Sequence, residues 1–240
     1  MPRRARSAQA GRCYHLCQRG HAGTAFCLDG QDRSDYIAVF MQAALGRGLW
    51  VHAWSVLDRE AHWLVTPQRP DALSSVMQQL GRRYVRGFNR RWRRSGSPWD
   101  GRYRSYWIDS QAYGLSVAHW MESLPARQGF CEHSQDWLWS SAGVLRGIRP
   151  APSPGAFRAL ESYWALGNTP FEREAAYTAL SERPLGPDLL EAMQRGLSQG
   201  RPVLSAAVWQ SLEEEERQAW LRRPRGRPRI DRSPEKEEGF

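Results

Sequence analysis

Apolar positions along this chain recur at two spacings, and the switches between them mark out its elements. "CYHLCQR", residues 13–19, reads as a strand that ends at Arg19-Gly20 and runs into a Gly- and Asp-rich loop. In "SDYIAVFMQAALGRG" the pairs Tyr36/Ile37, Phe40/Met41 and Ala44/Leu45 fall on one helical face, with Ser34 as the expected cap and Gly46 or Gly48 as the stop. "HAWSVLDREAHWLVTP", residues 52–67, predicts a hairpin with strands near 50–57 and 60–66. Pro70-Asp71 opens a longer helix, on which Leu73, Val76/Met77, Leu80, Tyr84, Phe88 and Trp92 form an inward stripe. "SGSPWDG" breaks it, "RYRSYWIDS" reads as a strand, and "QAYGLSVAHWMESL" as a third helix ending before Pro125.

With "DWLWSSAG" these elements predict one domain over residues 1–147. "GIRPAPSPG" places a Pro/Gly-rich linker at 148–156. Segments around 157–165, 171–181, 187–199 and 204–221 look helical and make a C-terminal region, 157–221. Residues 222–240, "RRPRGRPRIDRSPEKEEGF", are charged and Pro-rich and are expected to be disordered unless bound.

Composition changes this picture in two ways. There are 34 Lys and Arg against 25 acids, nearly all the cations being arginine, and the pI is near 9.9. A polyanionic partner is one source of such a balance, and a GC-rich genome that substitutes Arg for Lys is the other. No apolar run approaches the roughly 20 residues of a membrane span, and no apolar signal region follows the basic "MPRRARSAQAGR", so a cytoplasmic protein without a membrane partner is expected. Cys13, Cys17, Cys27 and Cys131 match no strong zinc pattern and are read as reduced thiols in or near the core.

The candidate chemistry lies in three places. Glu60 and His62 alternate onto one face of their strand, roughly 7 Å apart along the chain, where both could hold one metal ion. Between Asp71 and Asp100 no acid occurs, while Arg82, Arg83, Arg86, Arg90, Arg93 and Arg94 crowd the aromatic-striped helix and Arg102 and Arg104 follow. Like charges four apart repel on a helix, so the compensating charge is expected from outside, as DNA phosphate. In the tail, "PRGRP" at 224–228 matches the core of an AT-hook, in which Arg225 and Arg227 would lie in an A·T-rich minor groove. The bland counterpart is a basic tail that binds any nucleic acid weakly.

Taken in order, "MPRRAR", "GRCYHLCQRG", "HAWSVLDREAHWLVTP", "LGRRYVRGFNRRW", "SPWDGRYRS", "HWMESLPARQGF" and "DWLWSSA" resemble the HUH single-stranded-DNA transposases, in particular the REP-associated tyrosine transposase branch. The resemblance covers about residues 1–145. It implies an α+β fold, a ferredoxin-like antiparallel sheet flanked by helices, followed here by a C-terminal helical extension and a basic tail. It further implies single-stranded or hairpin DNA as the partner, and several relatives act as dimers, so a homodimer is open. In the family, two histidines on a strand and a polar residue one turn after a tyrosine hold a divalent metal. The tyrosine attacks the phosphate.

Carried across, the first histidine falls on Glu60, the second is kept as His62, and the bulky residue between them is Ala61. The tyrosine falls on Trp120 and the third ligand on Leu124, within "WMESLP". Glu60 could still ligate Mg²⁺ or Mn²⁺. Leu124 has no donor atom, and Trp120 has no oxygen with which to form a phosphoester. Tyr113, seven residues earlier, is about 10 Å away along the helix. Tyr103 and Tyr106 lie on a neighbouring segment, and His15, His52 and His119 show no partner pattern. Trp120 is read either as filler for the lost tyrosine or as a platform for an unpaired base. The expectation is a DNA-binding protein that has lost tyrosine-transposase chemistry. A metal-dependent nickase with another nucleophile and a protein–protein adaptor using the C-terminal helices are the alternatives.

Overall fold

The computed structural model describes residues 8–221. Strand β1 (Cys13–Arg19) is followed by α1 (Gly30–Arg47), β2 (Leu49–Val56), β3 (Glu60–Pro67), α2 (Ala72–Arg91), β4 (Arg104–Ile108) and α3 (Ser110–Arg127). The strands form one antiparallel sheet in the order β2-β3-β1-β4, the ferredoxin-like arrangement flanked by helices. Shorter helices follow: α4 (Ala142–Leu145), α5 (Glu161–Trp164), α6 (Pro170–Ser181), α7 (Pro187–Gln199), α8 (Ala206–Ser211) and α9 (Glu214–Leu221). No helix among the described residues is long and apolar enough to cross a membrane.

Both faces of the sheet are covered, so β1 and β3 are buried along nearly their whole length, polar His15, Gln18 and His62 included. On one face Leu16, Trp54, Trp63 and Val65 pack against Tyr36 and Phe40 of α1 and Leu73, Val76, Leu80 and Tyr84 of α2. On the other, Cys13, Cys17, Leu64, Tyr106 and Ile108 pack against Val117 and Met121 of α3. Leu160, Tyr177, Met193 and Leu197 join that second core, so the segment beyond residue 157 shares it with the sheet. That segment also covers both sheet edges. Val51 N–H donates to Ala156 O and Arg158 N–H to Val51 O along β2, while Val203 N–H donates to Trp107 O along β4.

Several element ends differ from the sequence expectation. Asp29, not Ser34, caps α1: its carboxylate accepts from Asp32 N–H, and Ser34 sits a turn inside, donating to Gly30 O. Gly48 stops the helix in the left-handed conformation, φ 66°. Helix α3 continues past Pro125 to Arg127, because a proline this close to the end forfeits a single intrahelical bond. Of 157–165 only Glu161–Trp164 is helical, and 204–221 divides at Leu212. Trp92 does not pack inward; it ends α2, 37% exposed, and its indole donates to Asp32.

Candidate functional site

Register brings the site together. Across β1 and β3, Cys17 pairs with His62 and Arg19 with Glu60; across β1 and β4, His15 pairs with Tyr106 and Cys17 with Arg104. Because side chains alternate, His15, Cys17, Arg19, Glu60, His62, Arg104 and Tyr106 share the sheet face that α3 covers. His62 Nε2 lies 3.4 Å from Glu60 Oε2 and 3.8 Å from Cys17 Sγ. Its Nδ1 lies 3.0 Å from His15 Nε2, and His15 Nδ1 lies 2.8 Å from the Tyr106 hydroxyl. Glu60 takes a bond from Gln128 Nε2 at 3.0 Å and an ion pair from Arg19 at 3.5 Å. His62, His15 and Cys17 are buried, and Glu60 keeps 20% of its side chain in solvent.

These contacts set the protonation pattern. Burial pulls His62 down, but the Cys17 sulfur and the Glu60 carboxylate outweigh it and hold the imidazole up at about 10. Burial likewise pushes Glu60 up, and His62, Gln128 and Arg19 together bring it down to about 2. Burial and the charge on His62 hold His15 well below the usual histidine range. Charged His62 therefore donates from Nδ1 to His15, which stays neutral and donates from its own Nδ1 to the Tyr106 oxygen.

Helix α3 lays Trp120 over this network. Its ring stands edge-on to His62, with centroids 5.4 Å apart, and to His15, 5.9 Å apart. Trp120 is half-buried, and Leu124, one turn on, is buried and offers no donor. Tyr106 carries the tyrosine hydroxyl that joins the network, and it is only 1% exposed. Gly196 of α7 packs on its ring so closely that an added Cβ would stand 2.6 Å from it. The Tyr106 hydroxyl lies at the other end of the ring, bonded to His15 and buried with the rest of the side chain. Glu122, two residues after Trp120, is buried and holds Ser141, Tyr177 and Arg146, fastening α3 to α4 and α6.

The arginines divide. Arg82, Arg83, Arg86, Arg90, Arg93 and Arg94 are exposed on or just after α2, in the helix layer of the opposite sheet face. None of them ion-pairs among the described residues; Arg83 bonds Gln42, and Arg94 lies over Phe88. Their neighbour Arg91 is compensated internally, by Asp29 at 2.5 Å and Asp32 at 2.6 Å on α1. The loop after α2 returns to the site: Asp100 N–H donates to Arg19 O, and His21 N–H to Pro98 O. The arginine row thus ends at the same end of the sheet as Glu60, one layer away. Arg102 is exposed, and Arg104 lies on the site face beside Cys17. Arg225 and Arg227, with the AT-hook-like tail, lie outside the described residues.

The sequence reading names Glu60, His62, Trp120 and Leu124; the structure brings Glu60, His62 and Trp120 together and adds His15, Cys17, Tyr106 and Gln128, which that reading does not join to them. The alternation in "CYHLCQR" puts Cys13, His15 and Cys17 on one strand face, and that signal was present. The pairing of β1 with β3, which makes them neighbours of His62, is not a local property.

A solved structure of a REP-associated tyrosine transposase bound to a REP hairpin superimposes with a TM-score of 0.50 at 16% identity, covering 67% of this chain and 100% of the other. A transposase candidate from Deinococcus radiodurans R1 aligns with a TM-score of 0.36 at 19% identity, over 51% of this chain and 97% of that one. No family model and no curated protein matches the sequence. The resemblance read from the motifs is thus met in three dimensions: this chain has the fold of a REP-associated tyrosine transposase.

Proposed function

We propose that this protein binds single-stranded or hairpin DNA without the covalent chemistry of a tyrosine transposase. The observation that carries the reading is Trp120, edge-on over His62 at the position where the resemblance sets the nucleophile, while the nearest hydroxyl of the network, Tyr106, is buried and bonded to His15. Binding is supported by a fold shared with a protein solved on a REP hairpin and by the exposed arginines of α2. Arg82, Arg86 and Arg90 repeat every four residues, about 6 Å apart along the axis, close to the step between phosphates of one extended strand. Such contacts give affinity that falls with salt and little choice of sequence. The tail, through Arg225 and Arg227, would add contacts in an A·T-rich minor groove.

The test is fluorescence anisotropy with a labelled single-stranded hairpin across a salt series. Saturable binding that weakens steeply with salt is expected. Failure to bind the hairpin or the same strand unpaired at low salt would sink the proposal and favour a protein–protein role. The metal-dependent nickase remains the second reading, favoured by the donors grouped at Glu60 and His62. It requires metal-dependent cut product from the unmodified chain.

A further inference from the structure

The donors beneath Trp120 do not fit the hard divalent cation that the transposase resemblance brings with it. Mg²⁺ and Mn²⁺ favour oxygen ligands. Here the third-ligand position is Leu124, and the donor that stands beside His62 and Glu60 is a sulfur. We propose that Cys17, His62 and Glu60 form a binding site for a thiolate-preferring divalent ion of the Zn²⁺ class, joining β1 to β3. The proposal is independent of whether the chain holds DNA.

Geometry carries it. The three ligand atoms lie within 4.8 Å of one another. Bonds of about 2.3 Å to sulfur and about 2.1 Å to nitrogen or oxygen, at tetrahedral angles, separate S from N by about 3.6 Å and N from O by about 3.4 Å. The observed separations are 3.8 Å for Cys17 Sγ to His62 Nε2 and 3.4 Å for His62 Nε2 to Glu60 Oε2. Both pairs that include His62 therefore already stand within a few tenths of an ångström of ligand spacing, and the Cys17 sulfur and Glu60 oxygen, within 4.8 Å of each other, close on the ion by movement of the partly exposed Glu60 carboxylate.

The supporting shell is in place as well. His62 is fixed through Nδ1 by His15, which Tyr106 holds in turn, so that Nε2 faces the other two donors. Gln128 engages Oε1 of Glu60, and Oε2, which Arg19 also approaches at 3.5 Å, faces His62. Cys17 is a free thiol and is buried. The partly exposed edge of Glu60 gives the ion its entry and leaves a fourth position to water. Trp120 shields the other side.

The experiment uses the full chain, stripped of metal and kept reduced, titrated with Co²⁺ as a spectroscopic probe and then with Zn²⁺. Expected are one equivalent of Co²⁺ with sulfur-to-cobalt charge-transfer absorption, displacement by Zn²⁺, and indifference to millimolar Mg²⁺. Cys17→Ser should lose the charge-transfer band while Cys131→Ser keeps it. His15→Phe should bind about 10- to 100-fold more weakly. Should Cys17→Ser fail to fold, Glu60→Gln, altered at the partly exposed donor, carries the same test through weakened binding with the band retained. Absence of stoichiometric binding, a band unchanged in Cys17→Ser, or displacement of Co²⁺ by Mg²⁺ would each overturn the proposal.

Discussion

His52 sits in the bulge of β2 with Nδ1 2.6 Å from Arg158 O and Nε2 2.8 Å from the Thr66 hydroxyl. A carbonyl only accepts, so the proton is on Nδ1, and Nε2 accepts from Thr66: the neutral ring is fully bonded. Burial, with the Arg158 charge in support, brings this imidazole down to about 4. Between about pH 6.5 and pH 4 the unfolded chain takes up a proton that folded His52 refuses. Stability therefore falls as pH drops through that window, by up to about 3 kcal/mol. Urea unfolding at pH 7 and pH 4.5 checks this, and His52→Gln should flatten the difference; an unchanged difference would assign it elsewhere. At Trp120 the single change Trp120→Tyr should give no covalent DNA adduct, because Glu60 and Leu124 still depart from the transposase ligand set. Glu60 and His62 were legible because two positions on one strand share a face. Cys17 and His15 were not, because their closeness to His62 depends on register between strands more than 40 residues apart.

Among the elements, α2 combines two roles that its sequence runs together. "RRYVRGFNRRWRR" reads as a single basic block, and the shortage of acids nearby predicts external compensation for six of its arginines, Arg82, Arg83, Arg86, Arg90, Arg93 and Arg94. Arg91 instead closes onto Asp29 and Asp32, and Asp32 also accepts from Trp92 and from Leu28 N–H. That junction ties the end of α2 to the start of α1, and its acids lie some sixty residues away in sequence. The two roles separate by mutation. Arg91→Ala should lower the melting temperature while leaving hairpin affinity nearly intact. Arg82→Ala, Arg86→Ala and Arg90→Ala together should leave melting unchanged and reduce the slope of log affinity against log salt by about 2. Equal loss of affinity in both variants would show that α2 is not divided in this way. The apolar stripe of α2 was legible through Phe88, because Tyr84 and Phe88 are buried at a four-residue spacing. It failed at Trp92, where the helix had already ended.

The whole molecule depends on its C-terminal third more than the hydrophobic pattern indicates. The periodicity of 187–199 announces an amphipathic helix but not its partner, which is Tyr106 on β4 with Gly196 at the point of contact. Residues 156–158 and 203 cap the two open sheet edges. Truncation after residue 147 should therefore expose Tyr106, Ile108 and both edges and give an aggregating chain, and light scattering with circular dichroism against the full chain checks it; a soluble chain with the full chain's cooperative melt would show that the C-terminal third is dispensable. Whether this fold holds DNA without bonding to it is decided on a denaturing gel. A labelled hairpin strand with Mg²⁺ or Mn²⁺ is incubated with the unmodified chain and with a variant carrying Glu60→His, Trp120→Tyr and Leu124→Asn. We expect intact, unattached strand from the unmodified chain under conditions where anisotropy reports binding, with any adduct confined to the triple variant. Cut or covalently attached strand from the unmodified chain would contradict the proposed function.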